Sequence, residues 1–419
     1  MTRFAARALS TPSPTPAGAR PRVRPWQRLG GIVGALALAL SSTLNVAAAP
    51  AGQPDSFIVV LKDGVDSRVV ASEHAARHQA GVRFIYEHAL HGYAARLSSG
   101  AVGVIAADGR VAYVERDAPV SINTTQSGAT WGLDRIDQRQ PHVSASASYT
   151  YTATGAGVAA YIIDTGINLT HDEFGGRATG GFDAVTNGGT AIDCNGHGTH
   201  VAGTVGGTTY GVAKGVSLVA VRVLDCAGSG TWSGVIAGID WVTANHTKNL
   251  TTTPTAKAVA NMSLGGGASS AVDTAVRNMI VSGVATAVAA GNGNQGGVAQ
   301  DACKSSPARV AEAMTIGATD KADAKTSWSN YGRCVDWFAP GSGITSAWTG
   351  SANATNTISG TSMASPHTAG VAALFLQTYS QTNPASTPAD VRTALYANTT
   401  QGVVKSSKTT NNHLLFTSY

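Results

Sequence analysis

The chain has 419 residues, 43% of them hydrophobic and 13% charged, with 49 glycines. That composition excludes disorder, which needs high charge and few apolar groups, and suits one large core plus a smaller one. The formal charge of +5 sits in the leader: residues 1–49 hold six arginines and no acid, whereas residues 124–419 hold sixteen basic and sixteen acidic side chains, so no basic face for nucleic acid is expected.

Residues 1–49 read as a secretion signal. Arg20, Arg22, Arg24 and Arg28 precede the apolar run GIVGALALAL at 31–40, and the small residues of NVAAAP follow, with cleavage expected at Ala48 or Ala49. The run is too short to span a bilayer, and no other long apolar stretch exists, so a secreted, extracellular protein without a membrane anchor is expected. An oxidising compartment makes disulfides the expected state of Cys194, Cys226, Cys303 and Cys334. Four cysteines allow three pairings; nearest-neighbour pairing closes two loops of about thirty residues. A zinc site is the rival reading, and no CxxC pair supports it.

Residues 50–123 form a small unit of their own. SFIVVLKDG is a strand running into a turn, and 67–81 carries helix formers ended by Gly81. FIYEHALHGYAARLS gives strand, turn and strand; GAVGVIAADG gives a short helix; RVAYVERDAPVSI gives a last strand. The order β-α-β-β-α-β is the ferredoxin-like α+β pattern.

After Asn123, apolar strands alternate with helices. Strands are expected at 157–164, 216–225, 258–267, 284–292 and 313–320, and helices at 230–246 and 271–283. This is the α/β pattern of a mostly parallel central sheet covered on both faces. Ligands gather at the carboxyl ends of such strands, where Asp164 and Asn292 are expected.

Four stretches carry the chemistry. YIIDTGI ends a strand on Asp164, where a carboxylate is either a turn former or an orienting group. NGHGTHVAG sets His197 and His200 three positions apart. A zinc-protease helix would read HExxH and supply a base between its ligands; here Gly and Thr intervene, so proton chemistry is favoured over metal chemistry. Small residues there let a helix begin close against another backbone. ISGTSMASPH places Ser362 at the start of a long apolar helix, whose free N–H groups favour a developing anion. The alternative for Ser362 is a helix cap. AVAAGNGN offers the Asn292 amide as an oxyanion donor or as a plain turn residue.

The order Asp, His, Ser is the subtilisin order of the three unrelated triad orders. YIIDTGI, NGHGTHVAG and GTSMASPH resemble the three active-site motifs of the subtilases. WGLDRIDQR, GVAKGVSLVAVRVLDC, VANMSLGGG and FAPG resemble the proteinase K branch and its aqualysin-like members, over roughly residues 124–417. The resemblance implies a three-layer subtilisin-like fold. It also implies a serine endopeptidase of broad specificity working through an acyl-enzyme, in which Asp164 orients the base, His197 is the base, Ser362 is the nucleophile and Asn292 is the oxyanion donor, with His200 structural. It implies that extended polypeptide substrate is added as a strand between Gly228-Ser229-Gly230 and Ser263-Leu264-Gly265-Gly266, with an apolar pocket near Leu264 and Ala289. The disulfides it implies are Cys194–Cys226 and Cys303–Cys334.

The same resemblance implies structural, not catalytic, Ca2+. Asp336 with the carbonyls of Ala311 and Ala313 matches one site; Asp134, Asp137 and Gln138 match a second. Downstream of the latter, QPHVSASAS is longer than the family's stretch and lacks its usual Asp or Asn, so a plain acidic turn stays open there. Residues 50–123 resemble the subtilase propeptide. The expected layout is therefore a signal at 1–49, an inhibitory propeptide at 50–123 removed by self-cleavage near Asn123, and a catalytic domain at 124–419, acting as a monomer on polypeptides and not on nucleic acid. An inert binding protein would need a broken triad, and every matching position is intact. An esterase would carry a GxSxG elbow, absent around Ser362.

Overall fold

The computed structural model describes residues 55–88, 90–117, 124–140, 147–379, 383 and 385–419. The secretion signal, the junction at Asn123 and most of QPHVSASAS lie outside the described residues. The chain divides into two compact units between Ala118 and Pro119.

In the first unit the elements are β1 (Asp55–Leu61), α1 (Ser67–His78), β2 (Gly81–Tyr86), β3 (Gly92–Leu97), α2 (Ser99–Ala106) and β4 (Val111–Arg116). The strands form an antiparallel sheet in the order β2-β3-β1-β4, the ferredoxin-like arrangement expected. Asp66 and Ser98 cap the two helices through their side-chain oxygens. Val59, Val70, Tyr93, Leu97 and Ile105 fill the small core. Gly81 does not end α1. Gln79 itself takes the left-handed conformation, at φ 54, so the chain has left the helix before Gly81 opens β2.

The second unit begins with β5 (Thr124–Ser127), α3 (Trp131–Ile136), β6 (Ser148–Tyr151), β7 (Val158–Asp164), β8 (Ala178–Asp183), α4 (His197–Gly206) and β9 (Ser217–Arg222). It continues with α5 (Trp232–Thr252), β10 (Lys257–Met262), β11 (Gly266–Gly267), α6 (Ser270–Val281), β12 (Val284–Ala289), β13 (Ser305–Ser306), β14 (Met314–Thr319) and β15 (Trp337–Pro340). It closes with β16 (Ile344–Ala347), β17 (Thr355–Ile358), α7 (Thr361–Tyr379), α8 (Pro388–Asn398), β18 (Thr400–Gln401) and β19 (His413–Leu414).

Nine strands form the central sheet in the order β18-β19-β15-β14-β12-β10-β7-β9-β8. All its pairings are parallel except β18 with β19. Strand alternation sorts the side chains of β7 onto two faces. Ala160 and Ile162 pack with Val201 and Val205 of α4 and Val371 and Leu374 of α7. Tyr161 and Ile163 pack with Val235 and Ile239 of α5 and Val276 and Met279 of α6. Helices therefore cover both faces, and full burial of each Val, Leu, Ile or Met among these side chains contributes about 1.5–3 kcal/mol before entropic costs.

The expected strands are real but shorter. β10 stops at Met262, which frees Ser263–Gly265 from the sheet, and β12 stops at Ala289, three residues before Asn292. α5 runs on to Thr252, past the expected end at 246; Thr243 and Thr247 return their hydroxyls to carbonyls one turn back. No described helix is long and apolar enough to cross a membrane.

Candidate active site

Asp164 is the last residue of β7, His197 the first of α4, and Ser362 the second of α7. Three elements thus deliver three functional groups to the carboxyl end of one sheet. Asp164 is fully buried. Its Oδ1 accepts from the Thr165 N–H at 2.7 Å and from His197 Nδ1–H at 2.8 Å. A carboxylate only accepts, so Nδ1 carries the proton and Nε2 of the neutral ring is left free to accept one. The His197 side chain is 25% exposed, and its ring lines a cavity. Burial pushes its pKa down, but the charge and hydrogen bond of Asp164, with the charge of Asp193, hold it above the ordinary histidine value.

The start of α4 needs its small residues. Gly196 sits at φ 111, and a Cβ there would run into the Trp348 ring. A Cβ on Gly198 would meet the Gly166 carbonyl, so the helix approaches the end of β7 as closely as its sequence suggests. His200 faces the other way. It is buried, donates from Nε2 to the Ile344 carbonyl at 3.0 Å, and is pushed down to about 4 by burial. No group of three or more metal-ligating side chains is gathered among the described residues.

Ser362 donates its Oγ hydrogen bond to the Ser263 carbonyl at 3.1 Å, and no hydrogen bond joins it to His197. Ser263 answers with its own hydroxyl, donated to the Ser362 carbonyl at 2.7 Å. Beneath them Ser365 donates to Asn261, and Asn261 to Ser263.

Asn292 is oriented by Thr361, whose N–H and hydroxyl both donate to its Oδ1 at 2.8 Å. A backbone N–H can only donate, so the amide is fixed with Nδ2 turned away. Nδ2 and the Ser362 N–H converge: they lie 3.3 and 3.5 Å from the point a Cβ on Gly360 would occupy. Asn330 pins the loop before and after Asn292 through Ala290, Gly293 and Gln300.

Two cavities share the segment Ser263–Gly267. One, about 590 Å³, is lined by His197, Leu224, Gly228, Ser229, Gly230 and Trp232 on its other walls. The second, about 730 Å³, holds Ser362, Asn292, Ala289 and Leu264, and no charged side chain lines it. Gly265 lines both cavities, and Gly266 pairs with Ser306 across β11 and β13. Cys194–Cys226 and Cys303–Cys334 are both bonded. The first joins the loop before His197 to the loop before Gly228.

Against known proteins, the Subtilase family model matches residues 155–416. The chain belongs to the subtilase family. The Peptidase inhibitor I9 model matches residues 56–123. An extracellular serine proteinase of Thermus sp. (strain Rt41A) is 52% identical over 393 residues, covering 88% of this chain and 91% of the relative. Alkaline serine exoprotease A of Vibrio alginolyticus is 48% identical over 80% of this chain, which spans 60% of that longer protein. The crystal structure of a cold adapted subtilisin-like serine proteinase matches at a TM-score of 0.62 and 51% identity, covering 69% of this chain and 98% of that one. This subtilase is thus a serine proteinase with an I9 inhibitor domain ahead of it.

The calcium expectations fare differently. Asp137 Oδ2 accepts from the Thr150 N–H, while its buried Oδ1 has no hydrogen-bond partner. Burial, reinforced by the nearby charge of Asp134, pushes Asp137 up to about 6. Gln138 donates its amide to the Asp134 carbonyl oxygen, and Asp134 Oδ1 accepts from the Ser148 N–H. Two carboxylates with an orphaned oxygen fit a hard cation. Asp336 and Ala311 line one cavity of about 320 Å³; Ala313 does not line it. There Thr315 N–H and Arg392 already bond the two Asp336 oxygens, so a cation would compete with a guanidinium.

Some functional neighbours lay outside the sequence reading: Thr165, Asp193, Asn261, Asn330 and Thr361. Asp193 had a signal, as an acid placed just before a helix start. Thr165, Thr361 and Asn261 lie within two residues of Asp164, Ser362 and Ser263 in the chain; Asn330 is linked to the site only by folding.

Proposed function

We propose that this secreted subtilase cuts peptide bonds through Asp164, His197 and Ser362. The observation that carries the reading is the 2.8 Å bond from His197 Nδ1 to a fully buried Asp164, with the ring lining the cavity whose shared wall leads to Ser362. Ser362 turns about its Cα–Cβ bond from the Ser263 carbonyl toward His197 Nε2. It attacks the substrate carbonyl while His197 takes its proton. Nδ2 of Asn292 and the Ser362 N–H receive the oxyanion. His197 returns the proton to the leaving amine, and water then resolves the acyl-enzyme.

Extended substrate lies between Gly228–Gly230 and Ser263–Gly266, recognised mostly through its main chain, which supports broad specificity. Of the monomer's two units, residues 50–123 serve as intramolecular inhibitor, and self-cleavage near Asn123 frees the catalytic domain at 124–419. Asp134, Asp137 and Gln138 would hold Ca2+, which neutralises buried charge and supports the fold. Asp336, with the carbonyls of Ala311 and Ala313, would do so only where Arg392 yields. Ser362→Ala tests the reading: the secreted chain should stay uncut and hydrolyse no casein. A matured, active Ser362→Ala protein refutes it.

A further inference from the structure

Asp193 is buried, 4% exposed, and no cation pairs with it among the described residues. Its carboxylate instead accepts five hydrogen bonds at the start of α4. Oδ1 takes the Thr165 hydroxyl at 2.9 Å, the Asn195 N–H at 2.9 Å and the Gly196 N–H at 3.0 Å. Oδ2 takes the Thr199 N–H at 2.9 Å and the Thr199 hydroxyl at 2.6 Å. Gly196, the residue before α4, has no side chain to cap it, so Asp193 does the capping from outside.

Thr165 makes this more than a cap. Its hydroxyl donates to Asp193 and accepts from the Gly198 N–H at 2.9 Å, while its own N–H donates to Asp164. One residue therefore ties together Asp164, Asp193 and the first turn of α4, which carries His197. A buried carboxylate satisfied only by neutral donors keeps its full charge in a poorly screened place.

We propose that Asp193 is a positioning residue of this site, a second buried carboxylate that anchors the His197 end of α4 to the Asp164 strand and shares the charge of the protonated imidazole. This rests on His197 being the catalytic base. The titratable groups facing His197 are Asp164 from β7, Asp193 from the loop before α4, and His200 from the next turn of α4. His200 stays neutral, being pushed down to about 4, so only the two carboxylates bear on the imidazolium. The Ser263–Gly267 segment and the start of α7 bring no charge. Asp193 exchanges no proton. It strengthens the base when His197 takes the Ser362 proton.

The test is kcat/KM against pH for the mature enzyme and for Asp193→Asn, Asp193→Ser and Asp193→Glu. In Asp193→Asn the amide oxygen still accepts from Thr165, Asn195 and Gly196, while the two Thr199 donors, its N–H and its hydroxyl, lose their acceptor. In Asp193→Ser there is room for water to reach the freed donors. Both charge-removing variants should move the acid limb to lower pH by roughly 0.5 unit or more, with kcat down several-fold and KM little changed. Asp193→Glu should keep the limb in place. An unmoved limb in folded Asp193→Asn or Asp193→Ser overturns the proposal, whatever the activity lost. So does failure of both variants to fold, which would make the carboxylate a fold element alone. Full activity in His197→Ala would instead strike down the assignment of the base, a separate result.

Discussion

Thr361 holds the Asn292 amide by two hydrogen bonds to one oxygen, from its N–H and from its hydroxyl, each at 2.8 Å. The Thr361 hydroxyl also accepts from the Gly291 N–H, so the donor's orientation is set before substrate arrives. Prearranged donors act on the charge that develops in the transition state. Asn292→Ala should therefore lower kcat by about 10²–10³-fold with KM nearly unchanged, a scale that comes from subtilisin itself. Thr361→Val should cost less, since the backbone N–H still holds the amide. Steady-state kinetics on a peptide anilide checks both; a change confined to KM would count against an oxyanion role.

Activity should fall on the acid side at a pH above the ordinary histidine value. His197 must be neutral to accept a proton, and its pKa is raised, chiefly because Asp164 outweighs burial. Protonation at falling pH therefore removes the base. Stability has its own acid limit. His200 and His367 are both pushed down to about 4 by burial, so between their unfolded value and 4 the unfolded chain binds protons that the folded one refuses. Their contribution is fully present above the unfolded value and lost as pH falls toward 4, by roughly 3 kcal/mol per histidine. Urea midpoints at pH 7, 6, 5 and 4 should fall progressively; a flat series would show that neither ring stays neutral.

The first unit's element order and the parallel sheet could be read from sequence because strand and helix periods differ, and apolar runs such as VAAYIID admit one reading in this context. The candidate site residues were legible as motifs. Strand ends were not. Ser263 and Asn292 lie past the strand ends, where the Ser263 carbonyl and the Asn292 side-chain oxygen bond to the start of α7 far along the chain, which no local pattern encodes. The contact between Asp193 and Thr165 was hidden for the same reason: it joins residues 28 apart and forms only when α4 docks on β7. The Ser362 rotamer was also beyond reach, since a χ1 choice between the Ser263 carbonyl and His197 leaves no trace in residue type.

Removing Ca2+ should lower the melting temperature, and more at pH 7.5 than at pH 5. Asp137 is raised to about 6, so above that pH it carries a charge that burial and Asp134 oppose. As pH rises through 6 this group costs stability, and a cation bound only by the folded state offsets the cost. Below 6 the carboxyl is neutral and the cation has less to bind. Asp137→Asn should melt at the same temperature with Ca2+ or with chelator. Scanning calorimetry in both buffers reads the difference; a chelator effect that persists in Asp137→Asn would locate the dominant ion elsewhere.

Breaking the two disulfides should have unlike effects. Each closes a loop of similar size, with separations of 32 and 31 residues, so the chain-entropy stabilisation is about 3–4 kcal/mol for either. Their surroundings differ. Cys194–Cys226 joins the loop leading to His197 with the loop leading to Gly228, and the Asn195 amide also donates to the Cys226 carbonyl. Cys303–Cys334 lines neither active-site cavity. Paired Cys→Ser variants should both melt lower, but only Cys194→Ser/Cys226→Ser should raise KM at 25 °C, because the histidine loop and the Gly228–Gly230 segment then lose their covalent tie and keep only the Asn195–Cys226 hydrogen bond. Equal KM values in both variants would mean that the bonds to Asp225 and the Asn195–Cys226 hydrogen bond hold the Gly228–Gly230 segment without the disulfide.

Cleavage should follow uncharged residues. The cavity beside Ser362 is walled by Leu264, Ala289, Ala290 and the glycines 265–267, with the amides of Asn294 and Gln295 at its side and no charged group among its lining residues. A lysine, arginine or acid entering it would lose water without gaining a partner, a penalty of several kcal/mol that appears directly in kcat/KM. Apolar side chains gain by burial, though each methylene is worth only about 0.8 kcal/mol, so discrimination among them stays shallow. A peptide-library digest should show broad cutting after apolar and small polar residues, with charged residues down by 10-fold or more. Filling the cavity with Ala289→Phe should remove cutting after large residues and spare cutting after alanine. If that variant loses activity on all substrates equally, the cavity is not where the residue before the scissile bond resides.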